Sequence, residues 1–198
     1  TLAKHSYCGD YVEILILAEG STSRDKKRDT KKRSDDLNFL KESAKLASKI
    51  LGIKKLHFAN LPDNRMDSID LLDITKIIEG FIEKIKPSIV YTHYGSDLNL
   101  DHRRTNQAVI TATRPFPGQS VQKLLVFETV SSTEWSTKSI GEPFNPNYFV
   151  DIEKFITKKK KALSYYKTEM RDFPHPRSIE NIENLAKFRG SKVGLKYA

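Results

Sequence analysis

An α/β fold with a mostly parallel sheet follows from three features of this 198-residue sequence. Strand-length apolar runs alternate with longer segments whose apolar residues recur at helical spacing. Gly or Pro closes most of the longer segments. Polar loops follow the strands. Alternation of this kind gives right-handed βαβ units and a three-layer arrangement, with helices covering the sheet.

The elements follow in order. Tyr11–Ala18 (YVEILILA) is a buried strand, and the basic stretch Ser21–Arg33 after it is loop. Ser34 can cap a helix that begins with acids and carries Leu37, Leu40, Ala44, Ala47 and Leu51 on one face. Gly52 ends it. Lys55–Ala59 is a short strand with a turn-rich exit, Leu61–Arg65. Ile69–Ile85 is a second amphipathic helix, stopped by Pro87. Ser88–Thr92 is a third strand, opening into His93–Leu100, and a helix spans about Asp101–Thr113. Lys123–Val130 is a fourth strand and Tyr148–Ile152 a short fifth. Helices over about Glu153–Met170 and Ser178–Phe188 close the chain.

Hydrophobic residues make up 38% and charged residues 30%, with no Gly or Pro excess, so one globular domain over 1–198 is expected. No apolar run approaches the roughly 18 residues a membrane span needs. Cys8 is the single cysteine, so no internal disulfide forms, and no signal peptide opens the sequence. The single cysteine fits a reducing compartment, and a cytoplasmic setting is expected. The net charge of +9 is concentrated in Arg24–Arg33 and Lys158–Lys161. A solvated loop and a solvated helix face account for these runs. A nucleic-acid-binding protein is the competing reading, but aromatic residues do not interleave with the basic runs.

In a parallel α/β sheet, ligands sit beyond the carboxyl ends of the strands. Loops 19–33, 60–68, 93–101 and 131–147 should therefore converge. The third is the richest in chemistry, with two His, two Asp and an Asn in His93–His102. His102 is a candidate metal ligand, which Asp101 or Asp97 could orient. The plainer alternative makes Asp101 a helix cap and His102 an ordinary first-turn residue. His57, within a strand, reads as structural. His175 lies between two prolines in Phe173–Arg177, a rigid loop suited to a site residue or simply to structure. No Walker sequence, dinucleotide fingerprint or G-x-S-x-G elbow is present.

The segment Asp97-Leu-Asn-Leu-Asp-His-Arg103 resembles the internal histidine motif of the LmbE-like (PIG-L) de-N-acetylases. Other segments agree in order: Thr1–His5, Lys49–Gly52, Leu61-Pro-Asp63, Phe127–Trp135, and Phe173–Ser178 with Arg189-Gly190 downstream. The resemblance implies a Rossmann-like metal hydrolase that removes acetyl from N-acetylated amino sugars. Zinc, or another divalent metal, would be the cofactor. It also implies His102 as one of three ligands, the other two and the general base coming from an H-P-D-D-E strand near the N-terminus. That motif does not occur here, so about 15–25 further N-terminal residues, one strand and a loop, are expected.

Where many relatives carry an oxyanion-stabilising His, this chain has Asn99, whose N–H can donate to an oxyanion. His175 is the candidate for the general acid. Arg24, Asp63, Arg65 and Asp97, all in the converging loops, are assigned to a small N-acetylated sugar substrate. An anionic part of it would meet Arg28, Lys31 and Lys32 on a mobile rim. A non-catalytic relative that binds sugar or protein is the alternative. The sequence leaves a homo-oligomer open.

Overall fold

The strands pair in twos. In the computed structural model, which describes all residues from Thr1 to Ala198, β1 (Glu13–Ala18) bonds to β2 (Lys55–Leu61), and β3 (Ile89–His93) to β4 (Lys123–Phe127). Both pairs are parallel. β3 and β4 match Ile89 with Lys123 through His93 with Phe127. At the two ends of the other pair, Lys54 N–H donates to Val12 and Glu19 N–H to Leu61, in the same sense. The class is α/β, as expected. The single sheet anticipated from the alternation is instead two separate pairs, because no strand of this chain bridges them.

The chain gathers into two compact units: Thr1–Ile16 with Asp29–Phe58 and Asn145–Ala198, and Leu17–Arg28 with Ala59–Phe144. In the first, α1 (Leu2–Tyr7) and α2 (Ser34–Leu51) pack together, and α2 also meets α5 (Ile156–Leu163). Asp35 and Asp36 favour the α2 start through the helix dipole. Its inner face buries Leu37, Ala44 and Ala47, as the spacing predicts. The helix begins at Ser34 itself rather than after it, so Ser34 is not the cap. α6 (Ile179–Ser191), capped by the Ser178 hydroxyl on Asn181 N–H, completes this unit.

Two expectations fail here, for visible reasons. Tyr148–Ile152 forms no strand. Val150 and Ile152 instead pack against Ile156, Ala186 and Tyr197, and Ile152 N–H bonds to the Tyr197 carbonyl at 3.1 Å. The helix expected over Glu153–Met170 is a 3-10 turn (Glu153–Phe155) followed by α5, which ends at Leu163. Beyond it, the Tyr165 carbonyl is taken by the Ser43 hydroxyl of α2 at 2.9 Å rather than by a further helical turn.

The second unit holds β3, β4, α3 (Leu71–Ile85) and α4 (Leu100–Ala112). Met66, Ile74 and Ala108 are fully buried in it. β4 stops at Phe127 instead of Val130, because Thr129 closes a turn with Thr133. Its N–H donates to Thr133 Oγ1 at 2.7 Å, and its carbonyl accepts from Thr133 N–H at 2.9 Å.

Gly52 ends α2 at φ +78°, and a Cβ there would lie 2.9 Å from Ser6 Cβ. Gly52→Ala should cost at least the ~1–2 kcal/mol of a left-handed non-glycine residue, lowering the thermal midpoint. Gly80, inside α3 with open space around it, should gain about 0.5–1 kcal/mol on replacement by Ala. Calorimetry of the two variants checks the contrast.

Candidate functional site

Four loops of the second unit are stitched together by hydrogen bonds, as the topology predicts. After β1, the buried Glu19 carboxylate holds Arg28 through two bonds of 2.8 and 2.7 Å and accepts from Thr22 Oγ1 at 2.8 Å. The loop after β2 reaches this one through Asp63, which accepts from Ser23 N–H at 3.2 Å and Ser23 Oγ at 2.5 Å. Arg65 donates to the carbonyls of Asp25 and Lys26 at 3.1 and 3.2 Å. The loop after β2 is joined to α4 by Asp101, whose carboxylate accepts from Asn64 N–H at 2.6 Å and Met66 N–H at 3.1 Å. Burial raises the Asp101 pKa, and these two amide bonds partly oppose it.

The centre of the arrangement is Asp97, which is 0% exposed. Its Oδ1 meets Asn99 N–H at 2.8 Å, His102 Nδ1 at 3.1 Å and the Ser132 hydroxyl. Its Oδ2 meets Thr133 Oγ1 at 2.6 Å. Burial alone would raise the Asp97 pKa. The bonds from His102, Ser132, Thr133 and Asn99 outweigh it and hold the carboxyl well below the usual range. Asp97 is therefore ionised.

The His102 ring is fixed on its face as well as at its edge. His93, the last residue of β3, stacks on it with ring centroids 3.8 Å apart and planes within 6°. Asn106 Nδ2 donates to the His93 carbonyl at 2.8 Å, and Gly95 leaves room for that Asn, since a Cβ there would sit 2.8 Å from Asn106 Oδ1. The His93 pKa falls to about 3, chiefly by burial and then by the neighbouring His102, so His93 is neutral.

The sequence-predicted residues divide accordingly. His102 is joined to a carboxylate, but to that of Asp97. The Asp101 carboxylate, expected at the ring, is turned to the Asn64 and Met66 amides instead. Asp97, assigned to substrate, is enclosed by protein donors. Asn99 is the α4 cap, its Oδ1 accepting from Asp101 N–H at 2.8 Å and His102 N–H at 3.3 Å. Its amide NH2 is thus the end that can donate to a ligand. Asp63 and Arg65 tie loops together, and Arg24 is exposed at the end of the 3-10 turn Thr22–Arg24. Arg28, placed on a mobile rim by the sequence, is held by Glu19. His175 belongs to the first unit, where its Nδ1 accepts from Arg177 N–H at 3.0 Å. His57 is structural, its Nε2 lying 2.6 Å from Glu13.

Ser132 and Thr133 had no assigned role in the sequence reading, and their signal was a run of hydroxyl residues just beyond a strand. No group of three or more His, Cys, Asp or Glu side chains gathers to hold a metal ion. The chain thus offers a single imidazole donor with its orienting carboxylate, and no step through a metal follows from these residues alone.

Residues 1–113 match the family model described as PIG-L, GlcNAc-PI de-N-acetylase. A Bacillus anthracis protein named probable N-acetyl-alpha-D-glucosaminyl L-malate deacetylase 2 is 27% identical over 126 residues, covering 63% of this chain and 53% of that protein. The chain thus spans about half the length of this relative. Among solved structures, N,N'-diacetylchitobiose deacetylase from Pyrococcus horikoshii superposes with a TM-score of 0.70 at 20% identity, covering 99% of this chain and 73% of that one. GalB, the 4-carboxy-2-hydroxymuconate hydratase from Pseudomonas putida KT2440, gives 0.65 at 18%, covering 96% and 78%. These likenesses establish the fold, and two reaction classes share it.

A half-buried neutral imidazole makes stability pH-dependent. The depressed His93 pKa contributes stability that is complete above the unfolded value of ~6.5 and lost as pH falls from there towards 3. His93→Phe, which stacks but cannot be protonated, should flatten this decline in urea midpoints measured at pH 7, 5 and 3.5. An unchanged slope would mean that the decline arises elsewhere.

Proposed function

Because the chain belongs to the GlcNAc-PI de-N-acetylase (PIG-L) family, we propose that it serves a hydrolase that removes acetyl from an N-acetylated amino sugar or its conjugate. The observation that carries this reading is the His102 ring. It stands beyond the carboxyl end of β3, edge-bonded at Nδ1 to a buried ionised carboxylate and stacked on a neutral His93. An imidazole held in this way presents Nε2, the arrangement of a metal-ligating histidine with its outer carboxylate. A divalent metal, zinc by resemblance, would supply an activated water and polarise the acetyl carbonyl when bound.

The other roles follow from position. The Asn99 amide NH2 is the donor for a developing oxyanion. Arg24, exposed in the same set of loops, is assigned to an anionic part of the substrate. The remaining metal donors would come from an H-P-D-D-E strand added along the open edge of β3, whose ladder is occupied on one side by β4 only. A cytoplasmic location accords with the single cysteine. No helix is long and apolar enough to cross a membrane.

The second reading is a sugar- or protein-binding relative without catalysis. Acetate release from an N-acetylglucosamine derivative, measured together with zinc stoichiometry, separates the two. Residues 1–198 alone should show neither. A protein in which an H-P-D-D-E strand precedes Thr1 should show both, and its His102→Ala variant should lose at least roughly 100-fold, more than outer-shell losses cost. Stoichiometric zinc and acetate release by residues 1–198 alone would overturn the ligand assignment. Zinc binding without acetate release in the extended protein would favour the binding relative.

A further inference from the structure

We infer that Ser132 and Thr133 are positioning residues, which act through Asp97 to fix the tautomer and orientation of His102. The argument is one of proton accounting. Thr133 Oγ1 accepts the Thr129 N–H at 2.7 Å, so the hydroxyl proton of Thr133 is left to point at Asp97 Oδ2, 2.6 Å away. Both Asp97 oxygens are engaged as acceptors, Oδ2 by this hydroxyl and Oδ1 by the Asn99 N–H at 2.8 Å. The Ser132 hydroxyl, bonded to Asp97 Oδ1, must therefore also spend its single proton there.

Ser132 Oγ additionally lies 3.3 Å from His102 Nδ1. Having no second proton to give, it can only receive at that contact. Both polar neighbours of Nδ1, Asp97 Oδ1 at 3.1 Å and Ser132 Oγ at 3.3 Å, are then acceptors. Nδ1 carries the hydrogen, and Nε2 is left as the lone-pair nitrogen.

The two hydroxyls are themselves held in place. Glu134 accepts from the N–H groups of Ser131 and Ser132 at 2.6 and 3.3 Å. Ser132 and Thr133 are buried. Thr133 anchors Oδ2, so the carboxylate plane is set from the side away from the ring. Without that anchor, Asp97 can turn about its terminal torsion, which is soft, and Oδ1 no longer faces His102. The loop after β4, which reaches Nδ1 of His102 through Ser132 Oγ, thus decides which nitrogen of His102 is free.

The inference concerns the same site as the proposed hydrolase and rests on His102 mattering to it, but its test is independent of activity. Two-bond nitrogen–proton NMR correlation of the imidazoles in the 198-residue chain reads the tautomer directly. The wild type should show His102 in the Nδ1–H form. Thr133→Val and Ser132→Ala should each shift the tautomer ratio about fivefold or more, the scale of one lost hydrogen bond. Thr133→Ser, which keeps the hydroxyl, should restore the wild-type spectrum. Where Thr133→Val does not fold, Ser132→Ala and Thr133→Ser carry the test alone. A folded Ser132→Ala or Thr133→Val with an unshifted His102 would overturn the inference, as would a wild-type ring protonated at Nε2. If the tautomer shifts but His102→Ala retains acetate release in the extended protein, the hydrolase assignment of His102 fails and the positioning stands.

Discussion

A carboxylate shut away from water is costly unless donors replace its hydration, and Asp97 depends on four. They come from three places in the chain: a backbone amide at Asn99, an imidazole at His102, and two hydroxyls beyond β4. None of these segments could hold its geometry without the others. The Asn99 amide requires the tight turn that leads into α4. The hydroxyls require the Thr129–Thr133 turn that cuts β4 short. The imidazole requires α4 to begin where Asn99 caps it. The charge at Asp97 is thus the constraint that fixes the loop after β3 against the loop after β4.

The other charged residues of this unit serve the same end at longer range. Asp101 grips the backbone of the loop after β2, and Asp63 and Arg65 carry that loop to the one after β1. Glu19 binds the guanidinium of Arg28, so part of the basic run is neutralised within its own loop. Elsewhere, Lys160 of the lysine run pairs with Glu183 at 2.6 Å. These pairings weaken the case for a nucleic-acid surface, because a phosphate would have to compete with carboxylates already in place.

Much of this was legible in the sequence, and what was not has a common cause. The periodicity placed α2, α3 and α4 within a few residues, because buried apolar faces set helices. The convergence of the four loops followed from parallel topology. His102 stood out because a histidine at a helix start beyond a buried strand is an uncommon placement. The partner of that histidine did not follow, since Asp97 and Asp101 are both near it in sequence. Which carboxylate turns towards the ring is decided by donors remote in sequence: Asn64 and Met66 for Asp101, Ser132 and Thr133 for Asp97. The loop-bridging contacts of Asp63 and Arg65 were hidden for a related reason. A charged residue in a site loop looks the same in sequence whether it binds a ligand or another loop. Tyr148–Ile152 shows the limit for strands, where an alternating apolar pattern buries equally well against helices without a ladder.

The division of labour between the histidines follows from the same geometry. The His93 and His102 rings are stacked in nearly parallel planes, so two positive rings at that distance would repel. Burial resolves the conflict by keeping His93 uncharged. His102 is the ring bonded directly to the carboxylate, and its ring proton is directed towards Asp97. One ring is therefore a neutral platform and the other an oriented donor. Exchanging their roles would place a buried carboxylate against a ring with no proton to give it. The asymmetry is set by the position of Asp97, and so by the loop hydroxyls that keep it there.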